Sequence, residues 1–203
     1  MHPKEIVRTG YNKIASRYTA KRVADSEDVQ RLDLFVKRLP KQAMVLDAGC
    51  GSGYPITQFL EQFFRVTGVD FANQQLRLAR TKLPGATFVN ADICRMPFKN
   101  DVFDAVCSYY AIIHVPRREQ SRLLIDFLRI LKMDGLALLC MGAGDIPDDT
   151  ADYQGTEMFW SHYDKETNLR MVKESGFNIL WSKVVKDPID AHAAHLFVLG
   201  QKG

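Results

Sequence analysis

Short apolar runs alternate with amphipathic stretches along most of the chain. Apolar runs bounded by Gly, Pro, Asn or Asp predict strands, whereas apolar positions three or four residues apart predict helices. On this basis the predicted strands are residues 43–47, 65–70, 87–90, 102–108, 135–141, 177–185 and 194–199. The helices predicted between them are residues 55–64, 73–83, 116–131 and 165–175.

This alternation predicts an α/β domain with a Rossmann-like, doubly wound sheet, because strand–helix–strand units place helices on both faces of a parallel sheet. The last two predicted strands are joined only by KDPIDAHA. That connection fits an antiparallel hairpin and is too short for a helical crossover. We therefore expect a mixed sheet whose last strand is antiparallel, flanked by helices.

Residues 1–41 are expected to form a helical cap ahead of the first strand. The stretch PKEIVRTGYNKIASRYTAKR has apolar and aromatic residues at helical spacing, with a break expected near Gly10. A second helix is predicted in DSEDVQRLDLFVKRL. Lys and Arg outnumber Asp and Glu in this cap, which fits either a solvated helix face or attraction of an anionic substrate.

The length of 203 residues is suited to a single domain. We divide it into the cap at 1–41, a cofactor-binding core at 42–144, an acidic insertion at 145–163 and a closing helix and β-hairpin at 164–203. The insertion GDIPDDTADYQGTEMFWSHY is the expected substrate lid, with Tyr153, Phe159, Trp160 and Tyr163 either lining an aromatic pocket or packing beneath a loop.

Composition excludes several classes of protein. A net charge of +3 is too small to require a nucleic-acid partner, and no stretch approaches the roughly 20 apolar residues of a membrane span. The cysteines are scattered singly, which indicates reduced thiols in a cytoplasmic protein. His192 and His195 would face opposite sides of a strand, so no metal site is expected.

The stretch VLDAGCGSGYP carries the strongest candidate chemistry. Glycines at Gly49, Gly51 and Gly53 follow a buried strand and let a ligand approach the main chain closely. Their spacing is neither that of a dinucleotide fingerprint nor that of a P-loop. Acids end this strand and the next one, at Asp47 and Asp70, and a carboxylate in the latter position can bind two ribose hydroxyls.

Five motifs resemble, in order, those of class I S-adenosylmethionine-dependent methyltransferases over about residues 43–144. They are VLDAGCGSGYP, GVDFANQQL, NADICRMPF, FDAVCSYYAIIHVPR and ILKMDGLALLCMGAG. The resemblance implies a seven-stranded sheet with an antiparallel last strand. It also implies S-adenosylmethionine as the cofactor and S-adenosylhomocysteine as the product.

The resemblance assigns roles to individual positions of this sequence. It implies that the methionine part of the cofactor is surrounded by Asp47, Gly49, Gly51 and Gly53. It implies that Asp70 holds the ribose hydroxyls, that Phe71 flanks the adenine, and that Asp92 and Ile93 bind the adenine amine and ring. The resemblance also implies that Ser108 and Tyr109 lie near the methyl group and that Tyr11 and Tyr18 close the pocket.

Purely structural interpretations stay open for several of these residues. Asp47 could cap the turn that follows it, and Asp70 could be a solvated strand end. Phe71 and Ile93 could be core residues. Tyr11 and Tyr18 could serve only to pack the leading helix.

For the reaction we expect methyl transfer to a small molecule, at oxygen or nitrogen in preference to carbon, although a resemblance to quinone-biosynthetic C-methyltransferases keeps carbon acceptors open. The chain has SYYA at the position where methyltransferases that act on nucleobase or amide nitrogens have a [DN]PPY-like motif, so those acceptors are disfavoured. No cluster of acids resembles the magnesium site of catechol-type O-methyltransferases. The expected catalytic residues are His114, His162 and Tyr109. We expect no nucleic-acid or membrane partner and a monomer or homodimer; the alternatives are a non-catalytic cofactor-binding protein and a nucleotide-dependent oxidoreductase.

Overall fold

A computed structural model describes residues 1–190 and 192–203. The strands within them are β1 Met44–Ala48, β2 Arg65–Asp70, β3 Thr87–Asn90, β4 Phe103–Ser108, β5 Leu131–Gly142, β6 Ile146–Asp152, β7 Glu157–His162, β8 Phe177–Lys186 and β9 Ala194–Lys202. The α-helices are α1 Pro3–Lys21, α2 Glu27–Gln30, α3 Asp33–Val36, α4 Ile56–Leu60, α5 Asn73–Lys82, α6 Arg117–Ile130 and α7 Lys165–Glu174.

Seven of the described strands form one mixed sheet in the order β3-β2-β1-β4-β5-β9-β8. Strands β1 to β5 pair in parallel, whereas β9 pairs antiparallel with both β5 and β8. The predicted Rossmann-like sheet with an antiparallel last strand is therefore confirmed. Because β1, β2 and β4 are parallel neighbours, their carboxyl ends meet at one sheet edge.

The sheet separates two apolar layers. In β1, Val45 contributes to a cluster with Phe35 and Leu60, while its neighbour Leu46 contributes to the opposite cluster with Phe127. Successive side chains of a strand point to opposite faces, so an apolar strand can bury both of its faces between helices. This double burial explains why the central strands are apolar runs.

Helix α1 runs without interruption, so the break predicted near Gly10 is wrong. Gly10 is buried where the helix crosses β7, and a Cβ at this position would lie 2.8 Å from the Met158 Cε. The glycine therefore permits close packing of α1 on the hairpin. Around this contact, Ile6, Val7 and Ile14 pack with Met158 and Phe159.

The polar insertion contains a two-stranded hairpin, β6–β7, that the sequence pattern did not predict. Strand β6 is mostly exposed and acidic, so it lacks the alternating apolar signal of a half-buried strand. The second predicted cap helix is divided into α2 and α3, and the helix predicted over 55–64 is limited to α4. The four cysteines are free. Among the described residues, no helix has both the length and the apolar character of a membrane span.

Candidate functional site

The glycine loop begins at the carboxyl end of β1 and turns sharply. Gly49, Gly51 and Gly53 all have positive φ angles, of 83°, 53° and 75°, which side chains with a Cβ rarely adopt. A Cβ on Gly49 would also lie 2.2 Å from the Ala111 Cβ. The loop therefore needs glycine both for its own conformation and for the segment packed against it.

Asp70 anchors this loop through its carboxylate. Its Oδ2 accepts the Gly51 backbone N–H at 2.9 Å, and its Oδ1 accepts the Ala72 N–H at 2.7 Å. Burial raises the pKa of Asp70 to about 6, although these N–H groups favour the charged form. Two amides thus fix the carboxylate at the edge of the cleft.

A cleft lined mostly by apolar surface lies between the sheet edge and α1. We call it the donor cleft. Four of the five motifs that carried the resemblance contribute residues to its walls, and the last motif does not. The residues assigned from sequence that line it are Tyr11, Tyr18, Gly49, Gly51, Asp70, Phe71, Asp92, Ile93, Tyr109 and His114.

Four of the assigned residues lie outside these walls. The carboxylate of Asp47 accepts the Thr57 hydroxyl at 2.6 Å, and burial raises its pKa to about 6. The Ser108 hydroxyl donates to the Ala48 carbonyl at 2.9 Å. Gly53 and His162 also lie away from the donor cleft. Asp47, Gly53 and Ser108 instead support the glycine loop and the strand ends.

Asp92 connects the cleft to the start of α1. Its Oδ1 accepts the Cys94 N–H at 2.9 Å, while its Oδ2 accepts the Lys4 ammonium at 2.8 Å. Lys4 also lies 3.2 Å from a carboxylate oxygen of Glu119. Although burial opposes its charge, the hydrogen bond to Asp92 raises the pKa of Lys4. The sequence pattern gave no signal for this contact, because Lys4 looks like an ordinary solvated helix residue.

Gln75 tests whether the donor cleft fits the expected cofactor. Neither its amide oxygen nor its amide nitrogen has a hydrogen-bond partner in residues 1–190 and 192–203, although both are buried. Gln75 lines the donor cleft, and a Cβ on Gly51 would lie 3.7 Å from its Oε1. Buried polar groups are normally satisfied, so this amide fits a polar ligand such as an adenosyl group. The sequence alone did not single out Gln75.

His114 and Tyr11 form a hydrogen-bonded pair at the inner end of the cleft. The His114 Nδ1–H donates to the Phe159 carbonyl at 2.6 Å, so its Nε2 accepts the Tyr11 hydroxyl at 2.9 Å. Burial lowers the pKa of His114 to about 4, which keeps the ring neutral. Tyr11 and Tyr18 contact each other edge to face, with ring centroids 5.2 Å apart.

Tyr109 and Tyr110 are held by a buried ion pair that the sequence did not reveal. The Tyr109 hydroxyl donates to the Asp28 carbonyl, and the Tyr110 hydroxyl donates to the Asp28 carboxylate, both at 3.0 Å. Arg22 binds the same carboxylate at 2.9 Å and stacks over the Tyr110 ring. Tyr110 has a φ of 57°, a strained value for a tyrosine.

A second cavity, of about 430 Å³, adjoins the donor cleft. We call it the acceptor cavity. Its walls share Tyr11, Tyr18, Tyr110 and His114 with the donor cleft. The hairpin adds Tyr153, Trp160 and His162, and the His162 Nδ1–H donates to the Gly144 carbonyl at 2.6 Å. Burial lowers the pKa of His162. Among the described residues, no His, Cys, Asp and Glu cluster could hold a metal ion.

Fold and site together define a Rossmann-like domain with a ligand cleft at the carboxyl edge of its parallel strands. The sequence profile of a methyltransferase domain family matches residues 45–135. That match covers a little under half of the chain, and the fold is that of solved S-adenosylmethionine-dependent methyltransferases, the class that the sequence motifs resemble.

Three of the relatives that match this chain are methyltransferases with different acceptors or an uncharacterised one. An uncharacterised methyltransferase of Oceanobacillus iheyensis is 24% identical over 139 residues, 68% of this chain and 58% of that protein. A tRNA (carboxymethyluridine(34)-5-O)-methyltransferase of Arabidopsis thaliana is 27% identical, over 71% of this chain and 34% of that protein. A malonyl-[acyl-carrier protein] O-methyltransferase of Enterobacter lignolyticus is 29% identical, over 71% and 57%. The chain thus spans between a third and three-fifths of these relatives' length.

One solved structure matches the chain along its whole length. It is the 1,6-didemethyltoxoflavin-N1-methyltransferase of Burkholderia thailandensis, crystallised with its namesake substrate and S-adenosylhomocysteine. The TM-score is 0.76 at 20% identity, and the match covers 100% of this chain and 91% of that one. At this identity the likeness establishes the shared fold.

Proposed function

We propose that this chain transfers the methyl group of S-adenosylmethionine to a small-molecule acceptor, at an oxygen or nitrogen atom. The observation that carries the proposal is the acceptor cavity, which shares a wall of Tyr11, Tyr18, Tyr110 and His114 with the donor cleft. An acceptor bound there would lie beside the donor. Such proximity is the main contribution that a protein makes to this kind of transfer.

Bound in the donor cleft, the cofactor supplies a methyl group on a positively charged sulfur that is already activated for displacement. The residues that would hold it are Asp70 at the ribose, Asp92 and Ile93 at the adenine, and the backbone of Gly49 and Gly51. All of them line the cleft. The unpaired amide of Gln75 adds a polar contact of its own.

The walls of the acceptor cavity would define the shape of the acceptor and exclude water from it. Tyr153 and Trp160 contact each other edge to face at 5.7 Å, and Trp160 lies 5.9 Å from the His114 ring. Together these rings offer an apolar enclosure in which a small molecule would be shielded from water. His114 and His162 are the proposed polar contacts for the acceptor, with Tyr109 supporting the wall near the methyl group.

Two other functions are distinguishable from this one. A protein that only binds the cofactor needs a donor cleft and no adjoining cavity, so the acceptor cavity favours transfer. A macromolecular acceptor is the second possibility, because one relative is a tRNA methyltransferase. The net charge of +3 supports a small molecule instead, since nucleic-acid binding rests on extensive phosphate neutralisation.

The proposal is tested with purified protein and S-adenosylmethionine carrying a labelled methyl group. One reaction receives the small-molecule fraction of a cell extract, a second receives bulk tRNA, and a third receives neither. We expect label in a compound of the first reaction, with mass spectrometry placing it on oxygen or nitrogen. Label in tRNA or on carbon would contradict the proposed acceptor, and cofactor binding without transfer to any fraction would favour the binding protein.

A further inference from the structure

A carboxylate–imidazole pair lies at the acceptor cavity, apart from His114 and His162. Asp187 follows β8, and His195 lies near the start of β9. The His195 Nε2–H donates to the Asp187 Oδ2 at 3.0 Å, and both side chains are largely buried. The other carboxylate oxygen of Asp187 accepts the backbone N–H groups of Ile189 and Asp190, at 2.7 and 2.9 Å.

These hydrogen bonds keep Asp187 charged. Burial alone would raise the pKa of Asp187, but the hydrogen bond from His195 and those from the two backbone amides hold it below its usual range. An ionised carboxylate only accepts hydrogen bonds, so the proton that joins the pair belongs to the His195 Nε2. The geometry therefore fixes the ring orientation and its tautomer.

The second ring nitrogen of His195 is left without a partner. Its Nδ1 is buried and makes no hydrogen bond to any residue that the structure describes. The His195 ring meets the Tyr110 ring edge to face, at 5.0 Å and 90°. Since Tyr110 also lines the donor cleft, His195 lies one side chain away from that cleft. The side chain of His195 lines the acceptor cavity, and a buried nitrogen without a partner is suited to a ligand's hydrogen-bond donor.

His114 and His162 are less suited to accept a proton. The His114 Nε2 already accepts the Tyr11 hydroxyl, and its Nδ1 donates to a neutral carbonyl. His162 likewise donates to a neutral carbonyl, that of Gly144. Among the described residues neither ring is hydrogen-bonded to a carboxylate, whereas His195 is. This is the arrangement by which a buried carboxylate orients and supports a catalytic histidine.

We propose that His195, oriented by Asp187, is the general base of this enzyme, and that the acceptor is a planar aromatic compound with an ionisable hydroxyl or ring N–H. The inference rests on the proposed function. The acceptor's proton passes to the His195 Nδ1, and the electron pair freed on its oxygen or nitrogen forms the new bond to the methyl carbon. The carbon–sulfur bond breaks with its electrons retained on sulfur.

The aromatic nature of the acceptor follows from the walls around this nitrogen. Tyr18 and Tyr153 lie 6.5 Å apart by ring centroid, and Tyr153 contacts Trp160. Tyr110 closes the side next to His195. Aromatic rings pack favourably on one another at such distances, so a flat ring system fits the space better than a flexible chain. Arg22 also lines the cavity, but its charge is paired with Asp28.

The test uses 4-nitrophenol, an aromatic hydroxyl compound whose ionised form absorbs visible light. The protein is first saturated with S-adenosylhomocysteine, so that no transfer can occur, and calorimetry records that binding. The pH is set one unit below the pKa of the free probe, where about one free molecule in ten is ionised. We expect most of the bound probe to be ionised, because a phenolate paired with the His195 imidazolium is favoured.

Three variants separate the base from the cavity around it. His195→Gln should remove the phenolate signal, and Asp187→Asn should weaken it severalfold. His2→Asn, at an exposed histidine before α1 that lines neither cavity, should leave the signal unchanged. An equal signal in His195→Gln, or no phenolate signal with the unaltered protein, would overturn the inference. If the samples that lack the phenolate difference still bind S-adenosylhomocysteine, the proposed methyltransferase function stands. If the unaltered protein does not bind S-adenosylhomocysteine, that function is contradicted as well.

Discussion

Replacing Asp70 with asparagine tests the assignment of the ribose site. The carboxylate accepts two backbone N–H groups, from Gly51 and Ala72, and it lines the donor cleft. Asparagine keeps the shape of the side chain but offers one acceptor oxygen and no charge. The variant therefore keeps at most one of the two loop contacts, and it loses the charge that would strengthen hydrogen bonds to the ribose hydroxyls.

The size of the effect follows from these contacts. Hydrogen bonds to charged groups contribute about 1.5–3 kcal/mol, and an unsatisfied buried donor costs about 1–3 kcal/mol. We expect Asp70→Asn to weaken S-adenosylhomocysteine binding by about 1–3 kcal/mol, or roughly 5- to 150-fold. Since burial raises the pKa of Asp70 to about 6, the affinity of the unaltered protein should also fall as the pH drops through that value.

Titration calorimetry at pH 8 and pH 5 measures both effects. The matched control is Asp104→Asn, because Asp104 accepts the Met44 backbone N–H at 2.7 Å but lies near the amino end of β4, at the opposite edge of the sheet. The control should retain full affinity. Unchanged affinity in a folded Asp70→Asn protein, or no loss of affinity in the unaltered protein at pH 5, would refute the ribose assignment.

Three further predictions concern other residues of the site. Burial raises the pKa of Asp47 to about 6, so this residue stabilises the fold at low pH and loses that contribution as the pH rises through 6. The unfolding free energy of the unaltered protein should therefore decline between pH 4 and pH 8. In denaturant titrations, Asp47→Asn should reduce this decline by on the order of 2 kcal/mol. Lys4→Met removes partly exposed ion pairs worth about 0.2–1 kcal/mol, so hydrogen exchange in the first turns of α1 should quicken severalfold while the sheet stays protected; equal exchange would contradict the proposed tie to Asp92. His162→Ala should spare S-adenosylhomocysteine affinity and lower turnover of an identified acceptor, and loss of cofactor binding would contradict our placement of the acceptor cavity.

Much of the sheet and of the donor cleft could be predicted from sequence, because both depend on local patterns. Apolar runs define the parallel strands, and parallel strands bring their carboxyl ends to one edge. The acids Asp70 and Asp92 therefore had to approach each other, as did the glycines that follow β1. Asp47 shows the limit of this reasoning. Its position on β1 could be predicted, but its contact with Thr57 depends on how α4 packs against that strand.

The residues that sequence reasoning missed are polar groups buried by tertiary contacts. Arg22 and Asp28 lie in a strongly charged, helix-forming region, where the pattern indicates a solvated surface, yet they form a nearly dry ion pair. Gln75 belongs to an amphipathic helix and is buried by tertiary contacts, among them that with the glycine loop. For His195, the alternation of a strand gave its face but not its partner, because Asp187 reaches it from across the hairpin connection.

Helix α1 links the two cavities physically. Tyr11 and Tyr18 lie about two turns apart on this helix and border both the donor cleft and the acceptor cavity. The same helix is held at its start by Lys4 on Asp92, and near its end by a hydrogen bond of 2.8 Å between Thr19 and Ser52 of the glycine loop. Because Gly10 packs against the hairpin that carries Trp160 and His162, any displacement of α1 changes both cavities at once. Donor and acceptor sites are therefore coupled through one element, and the residues that hold α1 in place should influence binding in both.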